Sequence, residues 1–312
     1  MKWKNAAKLA ACFGALTAAI TGANHAIFRL ARHQDKEQPD LFYHWRYGDV
    51  HYQKEGSGPP LLLIHGLDLG CSHKEFADSI QDLAKRFTVY VVDLPGYGYS
   101  EKPKITYTAF TYTYFLQDFL SQVVGKPCFA IGANGGGMIL TIAAKLYPQW
   151  FQKIMLISPT GITDPVAQNR DIFLRTLWEL PLKGTTLYNW VASRRAIGRF
   201  LRTQGFYAPE RVTKELINRF YFGAHGTNVN ARFAHASFRT HYMNLPITEY
   251  FKQLTMPVMV LWGEENLQNP VENLDKLEAL RPEESYFIFE ETRLFPHLEN
   301  PTEFVRLVRE QL

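Results

Sequence analysis

The residues with the most evident chemical meaning lie in segment 128–140, where a short apolar run meets a glycine cluster and then a helical apolar pattern. The order of strand, sharp turn and helix is typical of the Gly-x-Ser-x-Gly turn, which presents a catalytic nucleophile at the end of a strand. Here the frame reads Gly132-Ala-Asn134-Gly-Gly136. Its glycines permit the close backbone approach that such a turn needs. The residue in the nucleophile's place is Asn134.

Asn134 has an amide where this turn requires a hydroxyl or another nucleophile. An amide has no proton that a neighbouring base removes at neutral pH, so it is a poor nucleophile. Asn does tolerate positive φ better than most residues with a side chain. We therefore expect the turn to be kept and ordinary nucleophilic chemistry to be lost. A phosphate-binding loop is the weaker interpretation, because neither Gly-Lys-Ser/Thr nor Gly-x-Gly-x-x-Gly follows.

The elements that must position this turn alternate between strand and helix. Apolar runs predict buried strands at 61–64, 88–94, 128–133, 151–158, 257–262 and 285–289. Helical spacing predicts helices at about 74–87, 112–124, 138–146, 271–280 and from 302. This alternation predicts an α/β fold with a right-handed, mostly parallel central sheet flanked by helices on both faces.

Two segments depart from the alternation. Residues 41–55 alternate aromatic and polar side chains and predict an opening hairpin that turns at Gly48-Asp49. From about 163 to 250, helical periodicity continues without a convincing strand, so we predict a helical cap inserted into the domain. This insertion is aromatic and basic. Its apolar side could close a pocket while its arginines face a ligand or anionic lipid, or its basic side could simply be solvated.

Residues 1–32 form a separate unit. A basic start with Lys2, Lys4 and Lys8 precedes the apolar run 9–20, as in a secretory signal, with a possible cleavage site at 21–23. Extended through Phe28, the run reaches about 20 residues, the length that spans a bilayer.

We favour an uncleaved membrane anchor because the helical pattern continues through 26–32. Secretion after signal cleavage is the alternative, and an amphipathic helix packed on the domain or lying on a membrane is a third. The lysines favour a cytoplasmic N-terminus with the main domain extracytoplasmic. Residues 33–40 read as a polar linker.

Composition bounds the remaining possibilities. The 312 residues are 46% hydrophobic, so one large domain with a cap can bury a sizeable core. A net charge of +4 without a long Lys/Arg block gives no support to nucleic-acid binding. Cys12, Cys71 and Cys128 have neither metal-ligand spacing nor an even disulfide framework. We predict no metal and no cofactor.

Several motifs together resemble the α/β-hydrolase superfamily, in particular members with a helical cap after the sixth strand. They are His65-Gly66, Asp93-x-Pro-Gly-x-Gly-x-Ser100, Gly132 to Gly136, Trp262-Gly263-Glu264 and Phe295-Pro-His-Leu-Glu-x-Pro301. The resemblance implies an α/β-hydrolase fold over 41–312 with its cap at about 163–250. It also implies an oxyanion hole formed by the backbone N–H groups of Leu67 and Gly135.

The same resemblance implies where a catalytic triad would lie. The nucleophile position is Asn134, the acid position is Asn266 and the histidine position is Leu294, so all three are substituted. Leu294 exchanges no proton and Asn266 carries no charge to stabilise an imidazolium. Losing one triad member typically lowers turnover by about four orders of magnitude. We therefore expect a protein that binds a small apolar or carbonyl-bearing molecule, or a lipid, without catalysis.

Two other functions stay open. One is an active hydrolase of ester, epoxide or related apolar substrates with an unconventional site, drawing on His297, Glu264, Glu265 or Asp164. Deamidation of Asn134 would add a carboxylate nucleophile to that alternative. The other is a membrane-associated scaffold module whose pocket is filled by side chains. The sequence identifies neither the ligand nor the oligomeric state.

Overall fold

The computed structural model of the chain describes residues 2–37, 39, 41–162 and 170–312. Its strands are β1 (Phe42–Trp45), β2 (Gly48–Glu55), β3 (Pro60–Ile64), β4 (Thr88–Val92), β5 (Cys128–Ala133), β6 (Phe151–Ile157), β7 (Val258–Gly263) and β8 (Ser285–Phe289). They form one eight-stranded sheet in the order β1-β2-β4-β3-β5-β6-β7-β8. Only the β1–β2 and β2–β4 pairs of this sheet are antiparallel. The predicted mostly parallel sheet is confirmed.

Helices cover both faces of this sheet. In chain order they are α1 (Lys2–Gln34), α2 (Ala77–Leu83), α3 (Ala109–Phe119), α4 (Gly135–Leu146), α5 (Ile172–Glu179), α6 (Lys183–Val191), α7 (Arg194–Phe200), α8 (Lys214–His225), α9 (Ala231–Arg239), α10 (Thr248–Lys252), α11 (Glu272–Leu280), α12 (Pro296–Glu299) and α13 (Pro301–Gln311). Alternate residues of a strand point to opposite faces. Accordingly, Leu62 packs in a cluster with Phe115 of α3, and Leu63 packs in one with Phe304 of α13. Burying each such leucine contributes about 1.5–3 kcal/mol.

The opening hairpin turns two residues earlier than predicted. Trp45 pairs with Gly48, and His44 pairs with Asp49, so the turn consists of Arg46 and Tyr47. Gly48 has a φ of 121°, and a Cβ there would collide with the side chain of Glu101. The glycine is therefore needed where the second strand begins. The prediction of a turn at Gly48-Asp49 was wrong, because Gly48 already pairs with Trp45 as the first residue of β2.

The described residues between β6 and β7 form helices α5 to α10 and contain no strand. Ser193 and Thr213 begin α7 and α8, where their hydroxyls accept hydrogen bonds from the N–H groups of Ala196 and Leu216. Helix α10 returns to pack against α4, which carries the chain back to the sheet. Residues 163–169, at the start of the predicted cap, lie outside the described residues.

Helix α1 has two halves with different surroundings. Phe13 and Leu16 are 73% and 59% exposed, whereas Asn24, Phe28 and Ala31 are buried on one helical face. The buried face contacts α6 and α8 of the cap. Residues 10–34 are long and apolar enough to cross a membrane, a property that a signal sequence shares.

Candidate functional site

The turn at Asn134 joins β5 to α4 at the carboxyl edge of the sheet. Asn134 has φ 47° and ψ −114°, a strained conformation for a residue with a side chain. Its N–H donates to the Ile157 carbonyl at 2.8 Å, which fixes the turn against β6. A Cβ on Gly132 would lie 2.7 Å from the Gly136 carbonyl oxygen, so the helix starts this close to the strand only because Gly132 has no side chain.

The Asn134 side chain is buried and isolated. The residue is 1% exposed, and neither its Oδ1 nor its Nδ2 has a hydrogen-bonding partner among the described residues. A Cβ on Gly66 would lie 3.6 Å from the Asn134 Nδ2 and 3.3 Å from the Cys71 Sγ, so the Gly66 backbone lies close to both side chains. No imidazole or carboxylate of the described chain hydrogen-bonds Asn134.

The two candidate oxyanion-hole residues lie on either side of this turn. Gly135 is the first residue of α4, where backbone N–H groups have no intrahelical partner. Leu67 follows β3, the strand that pairs with β5 through Ile64 and Gly132. Tyr97 donates its hydroxyl to the Leu67 carbonyl at 2.8 Å, which holds the loop. Both residues therefore lie at the sheet edge occupied by Asn134.

His65 supports the same loop. Its Nδ1 lies 2.5 Å from the Gly66 carbonyl oxygen, and its Nε2 accepts a hydrogen bond from the Leu94 N–H at 3.0 Å. Complete burial lowers the pKa of His65, although Asp93 and Glu75 oppose that effect. A neutral imidazole with both nitrogens occupied is a structural group here.

Asn266 shapes the loop after β7. Its Oδ1 accepts hydrogen bonds from the N–H groups of Gln268 and Asn269, at 3.1 and 3.0 Å. Asn269 in turn donates to the carbonyls of Ser158 and Pro159 after β6. The Nδ2 of Asn266 is buried without a partner in the described part of the chain. The carboxyl ends of β6 and β7 are thus tied together, with Asn266 at the same edge as Asn134.

Leu294 lies in an apolar cluster and not in a polar site. The residue is 2% exposed and packs with Phe295, Phe220 of α8 and Cys71. Ala31 of α1 belongs to the same cluster. The Glu265 N–H donates to the Thr292 carbonyl at 2.9 Å, joining the loops that carry Asn266 and Leu294. Leu294 therefore packs in an apolar cluster with side chains of the cap, of α1 and of the loop that follows β3.

His297 contacts a different partner from Asn134. Its Nε2 lies 3.1 Å from Glu75 Oε1, and its ring packs on Phe76 and Phe304. The other Glu75 oxygen accepts the Gly66 N–H at 3.1 Å. Burial favours protonation of Glu75, yet the hydrogen bond and charge of His297 lower its pKa. This buried pair supports the loop that precedes Leu67.

Of the remaining carboxylates named from the sequence, the two that the structure describes make no hydrogen bond to Asn134. Glu264 and Glu265 are exposed, and their backbone N–H groups donate to the carbonyls of Phe289, which ends β8, and Thr292. Asp164 lies outside the described residues. The structure therefore places Asn134, Leu67, Gly135 and Asn266 at the carboxyl edge of the sheet. Glu264 and Glu265 follow β7 at the same edge but are exposed, and His297 is paired with Glu75.

A second buried polar cluster escaped the sequence analysis. Asp93 Oδ2 lies 2.8 Å from the Nδ1 atoms of both His51 and His73, and Glu37 Oε1 lies 2.8 Å from His73 Nε2. Lys74 also binds Glu37. These contacts join the predicted linker to the body of the domain. Asp93 also accepts hydrogen bonds from the His73 and Tyr99 N–H groups, which fixes its loop.

Electrostatics explain how these charges are tolerated. Although burial favours the neutral acid, the charge of His73 and the histidine hydrogen bonds hold the pKa of Asp93 well below its usual range. Burial opposes the imidazolium, yet Asp93 and Glu37 raise the pKa of His73 to about 9. Burial would raise the pKa of Glu37, but His73 and Lys74 lower it to about 2.

His51, His73 and Asp93 also have the ligand types of a metal centre, with their three ligand atoms within 4.8 Å of one another. The 2.8 Å separations between Asp93 and both imidazoles are those of hydrogen bonds. Two ligands on one zinc ion, each about 2.0–2.1 Å from it, lie farther apart than that at tetrahedral angles. The observed geometry is that of an ion-pair network.

A cavity of about 770 Å³ lies beneath the cap. Asp68 and Gln268, from the loops after β3 and β7, line one side, and Trp178, Phe200 and Phe238 line the cap side. Asn134 is not among the lining residues. Burial and the neighbouring Glu75 raise the pKa of Asp68 to about 6, against the charge of Arg239. The sequence offered one signal for this site, the position of Asp68 directly after Leu67.

Comparisons with known proteins agree with this architecture. A family model described as alpha/beta hydrolase fold matches residues 59–301. An uncharacterized protein of Mycobacterium tuberculosis is 28% identical over 268 residues, covering 81% of this chain and 75% of that protein. The pimeloyl-[acyl-carrier protein] methyl ester esterase of Vibrio vulnificus is 23% identical over 260 residues, covering 82% and 95%.

Two solved structures show how far the likeness extends. The meta-cleavage product hydrolase of Pseudomonas fluorescens has a TM-score of 0.72 at 19% identity, covering 87% of this chain and 97% of that one. A membrane phospholipase A, described as a bacterial virulence factor, has a TM-score of 0.68 at 21% identity. That comparison covers 99% of this chain and 97% of the phospholipase, so it includes α1.

Proposed function

The chain belongs to the α/β-hydrolase fold family, and we propose that it binds a small apolar or carbonyl-bearing molecule, or a lipid, without turning it over. One observation carries this proposal: both amide atoms of Asn134 are buried without a partner among the described residues. A catalytic hydroxyl in this place needs a hydrogen bond to a base, and the base needs an orienting acid. Asn134 has neither.

The proposal assigns the family's nucleophile, acid and histidine positions to Asn134, Asn266 and Leu294. The apolar surroundings of Leu294 support this assignment, because an imidazole there would be buried among Phe295, Phe220 and other apolar side chains. The Asn266 side chain supports it too, since its oxygen is used to hold the loop through Gln268 and Asn269. The protein would then be a pseudoenzyme with a degenerate triad.

The retained backbone favours binding over a purely structural role. The N–H groups of Leu67 and Gly135 can receive a carbonyl or carboxylate oxygen without any covalent step. The cavity of about 770 Å³ beneath the cap is within the usual size of ligand pockets. This space is not lined by Leu67, Gly135 or Asn134, so it supports a ligand site beside the turn and not on it.

We also propose that α1 anchors the protein in a membrane with the main domain extracytoplasmic. The exposed apolar side chains of Phe13 and Leu16 support insertion of its first half. Cleavage after Ala23 would yield a secreted form that keeps the packed half beginning at Asn24. N-terminal sequencing of protein recovered from membranes and from the medium separates the two forms.

An ester hydrolase is the second candidate, and it is favoured by the similarity to the methyl ester esterase of Vibrio vulnificus. Its chemistry would have to use His297, which is hydrogen-bonded to Glu75. Moving His297 toward Asn134 would leave that buried carboxylate without its imidazole partner, a costly change in a low-dielectric interior.

Hydrolysis assays distinguish the two candidates. The full chain in detergent is given a panel of acyl esters, thioesters and epoxides, with Asn134→Ala assayed beside it. We expect no turnover above the variant. Saturable turnover that disappears in Asn134→Ala would establish an unconventional enzyme and end the binding proposal.

A further inference from the structure

We infer that the cavity beneath the cap receives an uncharged amphiphile, whose hydroxyl or amide head group lies between Asp68 and Arg239 and whose apolar tail lies along the cap helices. This inference rests on the proposed binding function, for which it names the ligand class. It places the ligand beside the turn at Asn134, not on it, because Asn134 does not line this cavity.

The polar end of the cavity is formed by two opposite charges. The half-buried Asp68 lies on the loop after β3, and no hydrogen bond to its carboxylate is found in the described chain. Arg239, at the end of α9, lines the same cavity and is exposed. A carboxylate without a partner is a strong acceptor for a ligand O–H or N–H. The guanidinium can donate to an oxygen of the same head group.

The rest of the wall suits an apolar chain. Helices α5, α6, α7 and α9 contribute apolar lining side chains: Trp178, Val191, Ala196, Ile197, Phe200 and Phe238. The cavity thus combines these apolar cap side chains with a polar lining that also includes His235, His241, Asn244 and Gln268, a mixture found in small-molecule sites. An amphiphile matches both parts.

Charge disfavours the two ionic alternatives, because each brings a like charge beside either Asp68 or Arg239. An anionic head would meet Asp68 and, behind it, the buried Glu75, which His297 keeps ionised. A cationic head would meet Arg239. His235 adds no compensating charge, because burial and Arg239 lower its pKa to about 3. A neutral head satisfies the acceptor and the donor without like-charge repulsion.

Three ligands with the same ten-carbon chain test this inference: monodecanoin, decanoate and decylamine. Each is titrated into the full chain in detergent at pH 7.5, and binding is followed by calorimetry. We expect monodecanoin to bind at least about tenfold more tightly than either ion, on the scale of a hydrogen bond to a charged group.

Charge-removing variants make the prediction specific. Asp68→Asn is expected to weaken monodecanoin and to strengthen decanoate by about fivefold or more, and Arg239→Gln to strengthen decylamine similarly. Glu249→Gln removes an exposed carboxylate whose described partner is Lys252, and it should change none of the three. Circular dichroism of each variant verifies folding before titration.

The outcomes separate the inference from the proposal beneath it. Tighter binding of decanoate or decylamine than of monodecanoin to the wild-type chain would overturn the head-group assignment and leave a binding function in place. Preferences unchanged by Asp68→Asn and Arg239→Gln would overturn the placement in this cavity. No saturable binding of any of the three would overturn the inference, whereas the proposed function itself fails on turnover in the ester panel.

Discussion

At the scale of single residues, Asn134 holds a conformation that its neighbours impose. A positive φ in a non-glycine residue costs about 1–3 kcal/mol, and an unpartnered buried amide adds a similar cost. Neither cost has a structural compensation within the described residues. Such local inconsistencies are found preferentially at functional sites.

Asn134→Gly should therefore be more stable than Asn134→Ala. Both variants remove the unpartnered amide, but only glycine adopts φ 47° without strain. We expect a difference of about 1 kcal/mol in the free energy of unfolding, measured by denaturant titration. An alanine variant as stable as the glycine variant would show that the turn is not strained.

The pair formed by Glu37 and His73 predicts how stability depends on pH. The depressed pKa of Glu37 contributes stability above about pH 4.5 that is lost as the pH falls toward 2. The raised pKa of His73 contributes stability below about pH 6.5 that is lost as the pH rises through 9. Asp93, Asp35 and Lys74 belong to the same network.

Glu37→Gln should consequently destabilise the protein most between about pH 4.5 and 6.5. The difference from wild type should shrink toward pH 9.5, because His73 then loses the proton that attracts Glu37. Unfolding midpoints measured from pH 5 to 9.5 on both proteins provide the test. A difference that stays constant over this range would contradict the assigned ion pair.

At the scale of elements, the second half of α1 behaves as part of the cap. Asn24 bonds Thr186 and Asn189 of α6 at 3.0 Å each, and the Phe28 ring lies 4.7 Å from His225 of α8. Residues beyond the helix bind Lys74 and His73 of the body. The chain from α1 to Glu37 therefore connects the cap to the domain beneath it.

Phe28→Ala should destabilise the protein by about 3 kcal/mol, because it opens a cavity at a side chain that is 3% exposed. Phe13→Ala is the matched control within the same helix, where the ring is 73% exposed. Chemical denaturation in detergent compares the two variants. Equal effects, or none from Phe28→Ala, would mean that the helix is not packed on the cap.

At the scale of the whole molecule, the membrane proposal divides α1 near Asn24. Leu16 and Leu30 are almost equally exposed, at 59% and 58%, but only Leu16 lies in the half expected within the bilayer. Asp at the centre of a spanning helix costs about 2.5–3.5 kcal/mol. Leu16→Asp should abolish flotation with phospholipid vesicles, whereas Leu30→Asp should float like the wild type. Loss of flotation in both variants, or in neither, would contradict this division.

The sheet could be predicted from the sequence because each strand is indicated by residues next to one another in the chain. Leu61 to Ile64 form a continuous apolar run, and such runs indicate strands buried on both faces. The turn at Asn134 is likewise indicated by glycines that are close neighbours in the sequence. The fold and the turn could therefore be predicted without knowledge of distant contacts.

The rest depends on residues far apart in the chain. Glu37 meets His73 across 36 positions, and the wall shared by Asp68 and Arg239 joins a loop to a cap helix. Residues 33–40 looked like a free polar linker because their partners cannot be read from their own composition. The sequence also could not predict that Asn134 lies outside the cavity, because this depends on how the cap packs over the loop after β3.

The central claim is that the turn at Asn134 carries no reactive nucleophile. The most direct measurement is the intact mass of the full chain after incubation with a fluorophosphonate, beside the variant Asn134→Ser/Asn266→Asp/Leu294→His as a restored triad. We predict no adduct on the wild-type chain, and an adduct on Ser at position 134 in the variant if it folds. A stoichiometric adduct on the wild-type chain, mapped to Asn134 or another residue at this sheet edge, would contradict the account.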